Sequence, residues 1–125
     1  MKHINTNQAP QAIGPYSQGV MVNNMLFLSG QIALNPENRE LISGDAGDET
    51  HQIMKNLSAV LHEAGASFDN VVKTTIFLKN MDDFPLVNEV YGSYLKEGKY
   101  PARETVQVAK LPKDVQVEIS MIAVL

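Results

Sequence analysis

No cysteine occurs in the 125 residues. That absence removes disulfide frameworks, thiol nucleophiles, cysteine-ligated zinc and iron–sulfur clusters together. A cytoplasmic, reducing compartment is the expectation, although a cysteine-free chain also fits an oxidising one. Long apolar runs are missing too: none approaches the ~18 residues that a membrane span needs. The first residues, Met1-Lys2-His3-Ile4-Asn5-Thr6-Asn7-Gln8, carry neither the apolar stretch of a signal peptide nor the Arg-rich pattern of a transit peptide. Positive charge is scarce. Ten Lys and Arg against fourteen Asp and Glu leave a net charge of −4, a poor balance for binding a phosphate backbone. Lys96, Lys99 and Arg103 come nearest to a basic patch, and Glu97 and Glu104 interrupt them, as on a solvated surface.

Several chemical signatures are also absent. His51 and His62 lie eleven residues apart with no carboxylate at ligand spacing, so no metal site is expected. No G-x-S-x-G elbow gives Ser17 or Ser29 a hydrolase context. Gly14-Pro15-Tyr16-Ser17-Gln18-Gly19 lacks both the Walker lysine and the dinucleotide-binding glycine spacing. There is no internal repeat, low-complexity tract or linker, so residues 1–125 read as one domain.

What is present is a sequence of strands and helices. Asn23-Asn24 separates two apolar runs, Gln18–Val22 and Met25–Ser29, and predicts a two-residue hairpin. The second run continues through Gly30-Gln31-Ile32-Ala33, and its apolar residues on both faces place it centrally. Ile53, Leu57, Val60, Leu61 and Ala64 form a helical stripe over about 50–64, with Asp45 and Asp48 as cap candidates and Gly65 past its end. Val71–Leu78 is rich in β-branched residues and predicts a strand. A second helix is expected over Met81–Leu95, with Pro85 in its first turn. Two strands, Arg103–Ala109 and Val115–Val124, flank Leu111-Pro112-Lys113-Asp114 and read as a closing hairpin. The fold class is α+β, a sheet with two helices on one face. Ile122 and Val124 lie opposite the apolar face of the last strand, which implies an oligomer that buries the second sheet face.

If residues 110 and 115 close that last hairpin, Gln107 faces Glu118, Thr105 faces Ser120 and Arg103 faces Ile122. An arginine, a carboxylate, a hydroxyl and two amides then share one sheet face. A guanidinium binds a carboxylate with two parallel hydrogen bonds, and a nearby glutamate can orient or deprotonate water. Spacing alone favours a plainer reading, in which Arg103 and Glu118 neutralise each other or sit on a wet strand face.

The segment Pro101-Ala102-Arg103-Glu104-Thr105-Val106-Gln107-Val108-Ala109-Lys110-Leu111-Pro112, with Val117-Glu118-Ile119, resembles the signature of the Rid (YjgF-type) family of enamine/imine deaminases. Gly14-Pro15-Tyr16-Ser17-Gln18, Leu28-Ser29-Gly30-Gln31 and Val71–Leu78 agree with it, in order along the chain. The resemblance implies a chorismate-mutase-like mixed sheet and a homotrimer with an inner sheet barrel and clefts between subunits. It also implies hydrolysis of 2-imino acids, derived from 2-aminoacrylate and 2-aminocrotonate, to 2-oxo acids and ammonia, without cofactor or metal. Carried over by residue, Arg103 matches the carboxylate-binding arginine and Glu118 the acidic residue near the water. Tyr16, Ser29 and Gly30 match pocket-lining positions. Thr105 stands where cysteine is usual, and its backbone carbonyl would hold the substrate nitrogen. Glu104 also departs from the family's small residue, and period two points it away from Arg103. Two other readings stay open: a trimer that binds 2-oxo acids as a regulatory module, and an RNA-directed nuclease or translation inhibitor, against which the acidic charge counts.

Overall fold

In the computed structural model, which describes residues 1–125, Asn23 adopts a left-handed φ of 53° and closes the expected hairpin. Strands β2 (Gly19–Val22) and β3 (Met25–Gln31) pair antiparallel across it. A short strand with no predictive pattern, β1 (Lys2–Ile4), extends the sheet beside β2. Three residues are too few to display a period.

Helix α1 runs Ala46–Glu63, starting earlier than its apolar stripe because Asp45 caps it. The Asp45 side chain accepts the Asp48 N–H, and the Asp48 side chain accepts the Asp45 N–H, a reciprocal capping box. Gly65 follows the helix at φ 80°, the left-handed position a helix exit favours. Ile53, Met54, Leu57, Val60 and Leu61 are fully buried against the sheet. Strand β4 (Val71–Leu78) has the predicted bounds. A 3₁₀ turn over Met81–Asp83 leads into α2 (Phe84–Ser93), with Pro85 in its first turn. The helix ends at Ser93, short of Leu95.

The closing hairpin is not formed. Strand β5 (Ala102–Gln107) pairs parallel with β4, and β6 (Val117–Val124) inserts antiparallel between β3 and β4. The sheet order is β1-β2-β3-β6-β4-β5. Burial explains the choice. Val117, Ile119, Met121 and Ala123 of β6 are buried, as a central strand requires, whereas most β5 residues are exposed and take the edge. Lys113 and Asp114, both at positive φ, steer the connection across rather than back along β5.

Both helices cover one face, so the expected α+β architecture with a mixed sheet is present. On the other face, Val22, Met25, Phe27 and Val124 are each 40% exposed. The sheet remains open at β1 and β5, so closure into a barrel is not a property of the single chain. Neither helix is long and apolar enough to cross a membrane.

Candidate active site

The strand register separates the residues that a hairpin would have joined. Arg103 pairs with Thr74, and Thr105 with Ile76, both buried beneath the helices. Glu118 instead pairs with Phe77, whose side chain points to the opposite face. Arg103 and Thr105 therefore share the helix side of the sheet, while Glu118 lies on the uncovered side. Glu104 also points away from Arg103, as expected, and pairs with Lys73 at 2.7 Å.

Glu118 sits in a cavity of about 440 Å³ that also holds Tyr16, Ser29 and Gly30. The alignment of β3 with β6 shifts between Leu28 and Gln31, which places Ser29 and Gly30 at an irregularity in the ladder. Gly30 is needed there for a steric reason. A Cβ on residue 30 would stand 2.7 Å from Glu118 Oε2 and 2.9 Å from its Cδ. The carboxylate thus lies directly against the glycine backbone, and burial pushes its pKa above the ordinary carboxylate value. A carboxyl raised in this way is a stronger base than an ordinary carboxylate, as a group that takes a proton from water needs to be. Ser29 Oγ donates to the Ser17 carbonyl, which ties β3 to the residue that follows Tyr16. Tyr16, which lines the same cavity, is 50% exposed.

Arg103 lines a separate cavity of about 360 Å³ with Asn88, Tyr91 and Tyr100. Its Nη1 donates to Asn88 Oδ1 at 2.6 Å. Its guanidinium carbon lies 5.3 Å from the Phe84 ring centre and 5.4 Å from that of Tyr91. These rings and the amide hold the fork in place at the sheet edge, where a carboxylate can approach it. Burial raises the Tyr91 pKa, opposed by the Thr74 hydrogen bond and the Arg103 charge, so the hydroxyl stays a neutral donor to Thr74 Oγ1. Thr105 contributes a hydroxyl that is buried without a partner.

Sequence reasoning missed several participants. Gln18 is buried in the floor of the Glu118 cavity. Its Oε1 accepts the Thr6 N–H at 2.7 Å, and its Nε2 donates to the Thr6 and Pro10 carbonyls at 3.0 and 2.8 Å. Arg39 and Lys113 also line that cavity, but Lys113 falls in a connection between strands, and Arg39 directly follows Asn35-Pro36-Glu37-Asn38, which reads only as a turn. Asn88 and Tyr91 lay hidden in the helical periodicity of α2. No three His, Asp or Glu side chains gather within reach of one metal ion.

A family model described as Endoribonuclease L-PSP matches residues 6–125. A RutC family protein of Synechocystis is 52% identical over 126 residues, covering 100% of this chain and 97% of its own length. A mouse protein named 2-iminobutanoate/2-iminopropanoate deaminase is 49% identical over 123 residues, covering 98% of this chain and 90% of its own. The crystal structure of RidA from an Antarctic Psychrobacter superposes with a TM-score of 0.95 at 42% identity, covering 100% of both chains.

Proposed function

The chain belongs to the Endoribonuclease L-PSP family, the family of the Rid and RutC proteins, and on that footing we propose that it hydrolyses 2-imino acids to 2-oxo acids and ammonia. The observation that carries the reading is the Glu118 carboxylate, seated against Gly30 on the wall of a cavity and raised in pKa by burial. Such a group positions a water and accepts its proton as the oxygen attacks the C=N carbon. Glu118 hands that proton to the nitrogen, the hydroxyl proton is released as the tetrahedral intermediate collapses to a C=O bond, and the nitrogen leaves as ammonia. Arg103, braced by Asn88, Phe84 and Tyr91, docks the substrate carboxylate. The Thr105 backbone carbonyl holds the iminium nitrogen. Tyr16, Ser29 and Gly30 shape the other wall. An iminium is already electrophilic, so orientation and electrostatics suffice and no covalent intermediate is required.

Arg103 and Glu118 lie on opposite faces of one sheet, so a single chain does not bring them to one substrate. The reading therefore includes a homotrimer with clefts between subunits, in which Arg103 and Thr105 of one copy meet Glu118, Tyr16 and Ser29 of another. The open apolar face around Met25, Phe27 and Val124 and the exposed edge strand β5 support such an assembly. The test is ammonia and 2-oxo acid release from freshly generated 2-iminopropanoate and 2-iminobutanoate, with Glu118→Gln as control and light scattering for the trimer. A folded trimer that binds 2-oxo acids yet releases no ammonia is a binding module instead.

A further inference from the structure

Only four non-glycine residues have positive φ: Asn23, Arg39, Lys113 and Asp114. Two of them, Arg39 at 58° and Lys113 at 54°, line the Glu118 cavity, and both are cations. Glycine is the residue of least strain at such positions. A long charged side chain that occupies one instead is placed there at some conformational cost.

The surroundings of both cations leave their charge free. The ion pairs of the chain are Lys73–Glu104, Lys79–Asp114 and Lys96–Asp69, so neither Arg39 nor Lys113 is neutralised by a carboxylate. Arg39 is nonetheless fixed. Its N–H donates to the Asn35 carbonyl at 2.8 Å, and its Nε donates to the Gln11 carbonyl at 3.0 Å. Those bonds leave the two Nη groups, the pair that grips a carboxylate. Glu118 is the only carboxylate lining the cavity, against two cations, and burial disfavours its charged form. A monocarboxylic imine held by Arg103 has no further charge for them to meet, and a three- or four-carbon imine fills little of about 440 Å³.

We propose that Arg39 and Lys113 form a second anion subsite that selects 2-imino acids carrying an additional acidic group on the side chain, the four- and five-carbon dicarboxylic imines. This inference rests on the deaminase reading for its reaction: water adds to C=N, ammonia departs, and a dicarboxylic 2-oxo acid is left. The subsite itself is a statement about binding and is separable from that chemistry.

The experiment compares the wild type with Arg39→Gly, Lys113→Gly and the double variant. Glycine preserves the backbone at positive φ and removes its strain, so these variants are expected to fold. Two readouts are taken. One is kcat/KM on 2-iminoglutarate and on 2-iminobutanoate, each generated in the cuvette by an amino-acid oxidase. The other is calorimetric Kd for 2-oxoglutarate and 2-oxobutanoate. The ratio of kcat/KM, dicarboxylic over monocarboxylic, is expected to fall by about tenfold or more in Arg39→Gly, with the Kd ratio following it, the scale of a lost charge-assisted hydrogen bond. A ratio that stays within about twofold overturns the subsite, as does an equal loss on both ligands, which would assign the pair to the shared carboxylate. If no imine is hydrolysed, an Arg39-dependent preference for 2-oxoglutarate still supports the subsite while the deaminase reading fails. Absence of that preference overturns the subsite.

Discussion

Replacing Gly30 by alanine separates the position of the Glu118 carboxylate from its chemistry. The added Cβ would stand 2.7 Å from Oε2, 2.9 Å from Cδ and 3.2 Å from Cγ of Glu118. Ordinary contact begins near 3.4 Å, so the carboxylate must retreat by about 0.7 Å. Gly30 does not occupy the left-handed region, so its backbone accepts alanine without φ strain. The obstructing atoms are the end of a flexible side chain, which moves more cheaply than backbone does. The overpacking cost is therefore expected at the low end of ~1–3 kcal/mol, with folding retained. A misplacement approaching 1 Å at a group that orients a reactant costs on the order of 10²-fold in rate. Gly30→Ala should thus lower kcat for 2-iminopropanoate by about 10²-fold, or ~2.7 kcal/mol in the barrier, while KM changes little because Arg103 is untouched. The assay is steady-state ammonia release, with thermal melts and light scattering to confirm the assembled fold. Wild-type kcat in a folded Gly30→Ala variant would refute the role of Glu118 as the group that places the water.

Because burial raises the Glu118 pKa, the acid limb of kcat/KM should lie above the ordinary carboxylate value, and Glu118→Gln should abolish that limb. The same raised pKa makes the ionised carboxyl increasingly destabilising as pH rises from its unfolded value through its folded one, so Glu118→Gln should be the more stable protein above that window and lose the advantage in acid. Asn88→Ala removes the 2.6 Å brace on Arg103 and is expected to raise KM by about tenfold with a smaller effect on kcat; an unchanged KM would show that the rings alone hold the guanidinium. The Thr105 hydroxyl is buried without a partner, so Thr105→Val should gain about 1 kcal/mol in unfolding free energy and, on the proposed role of the backbone carbonyl, keep kcat/KM within about tenfold. A collapse of kcat/KM in Thr105→Val or Thr105→Cys would give the side chain the role instead.

The elements were legible wherever a local signal was strong: the Asn23-Asn24 turn, the β-branched run of β4, and the stripe of α1. Pairing was not. A hairpin is the economical guess for two strands joined by a Pro-containing turn, and nothing local says that β6 must leave β5 and fill the centre of the sheet. What decides it is long-range. The apolar residues on both faces of β6 need two neighbours, and the polar, exposed β5 makes a tolerable edge. That error carried directly into the site. Period two correctly grouped Arg103 with Thr105 and set Glu104 apart, but the assumed register put Glu118 on their face when β4 places it on the other. Family resemblance named Tyr16, Ser29, Gly30 and Glu118 together, and the fold does gather them around one cavity. Arg39 escaped notice because Asn35-Pro36-Glu37-Asn38 announces only a turn, and a side chain's entry into a cavity depends on what the rest of the chain builds around it.

Subunit complementation tests most directly whether the site is completed between copies. Arg103→Ala and Glu118→Gln are each prepared, assayed alone, then mixed in equal amounts, unfolded and reassembled. Each variant alone should be inactive towards 2-iminopropanoate. In random mixed assemblies, about a quarter of the clefts would unite an intact Arg103 from one copy with an intact Glu118 from another. The mixture is predicted to recover about that fraction of wild-type ammonia release. A mixture that reassembles into trimers and stays inactive, while the wild type treated identically regains activity, would contradict the shared site.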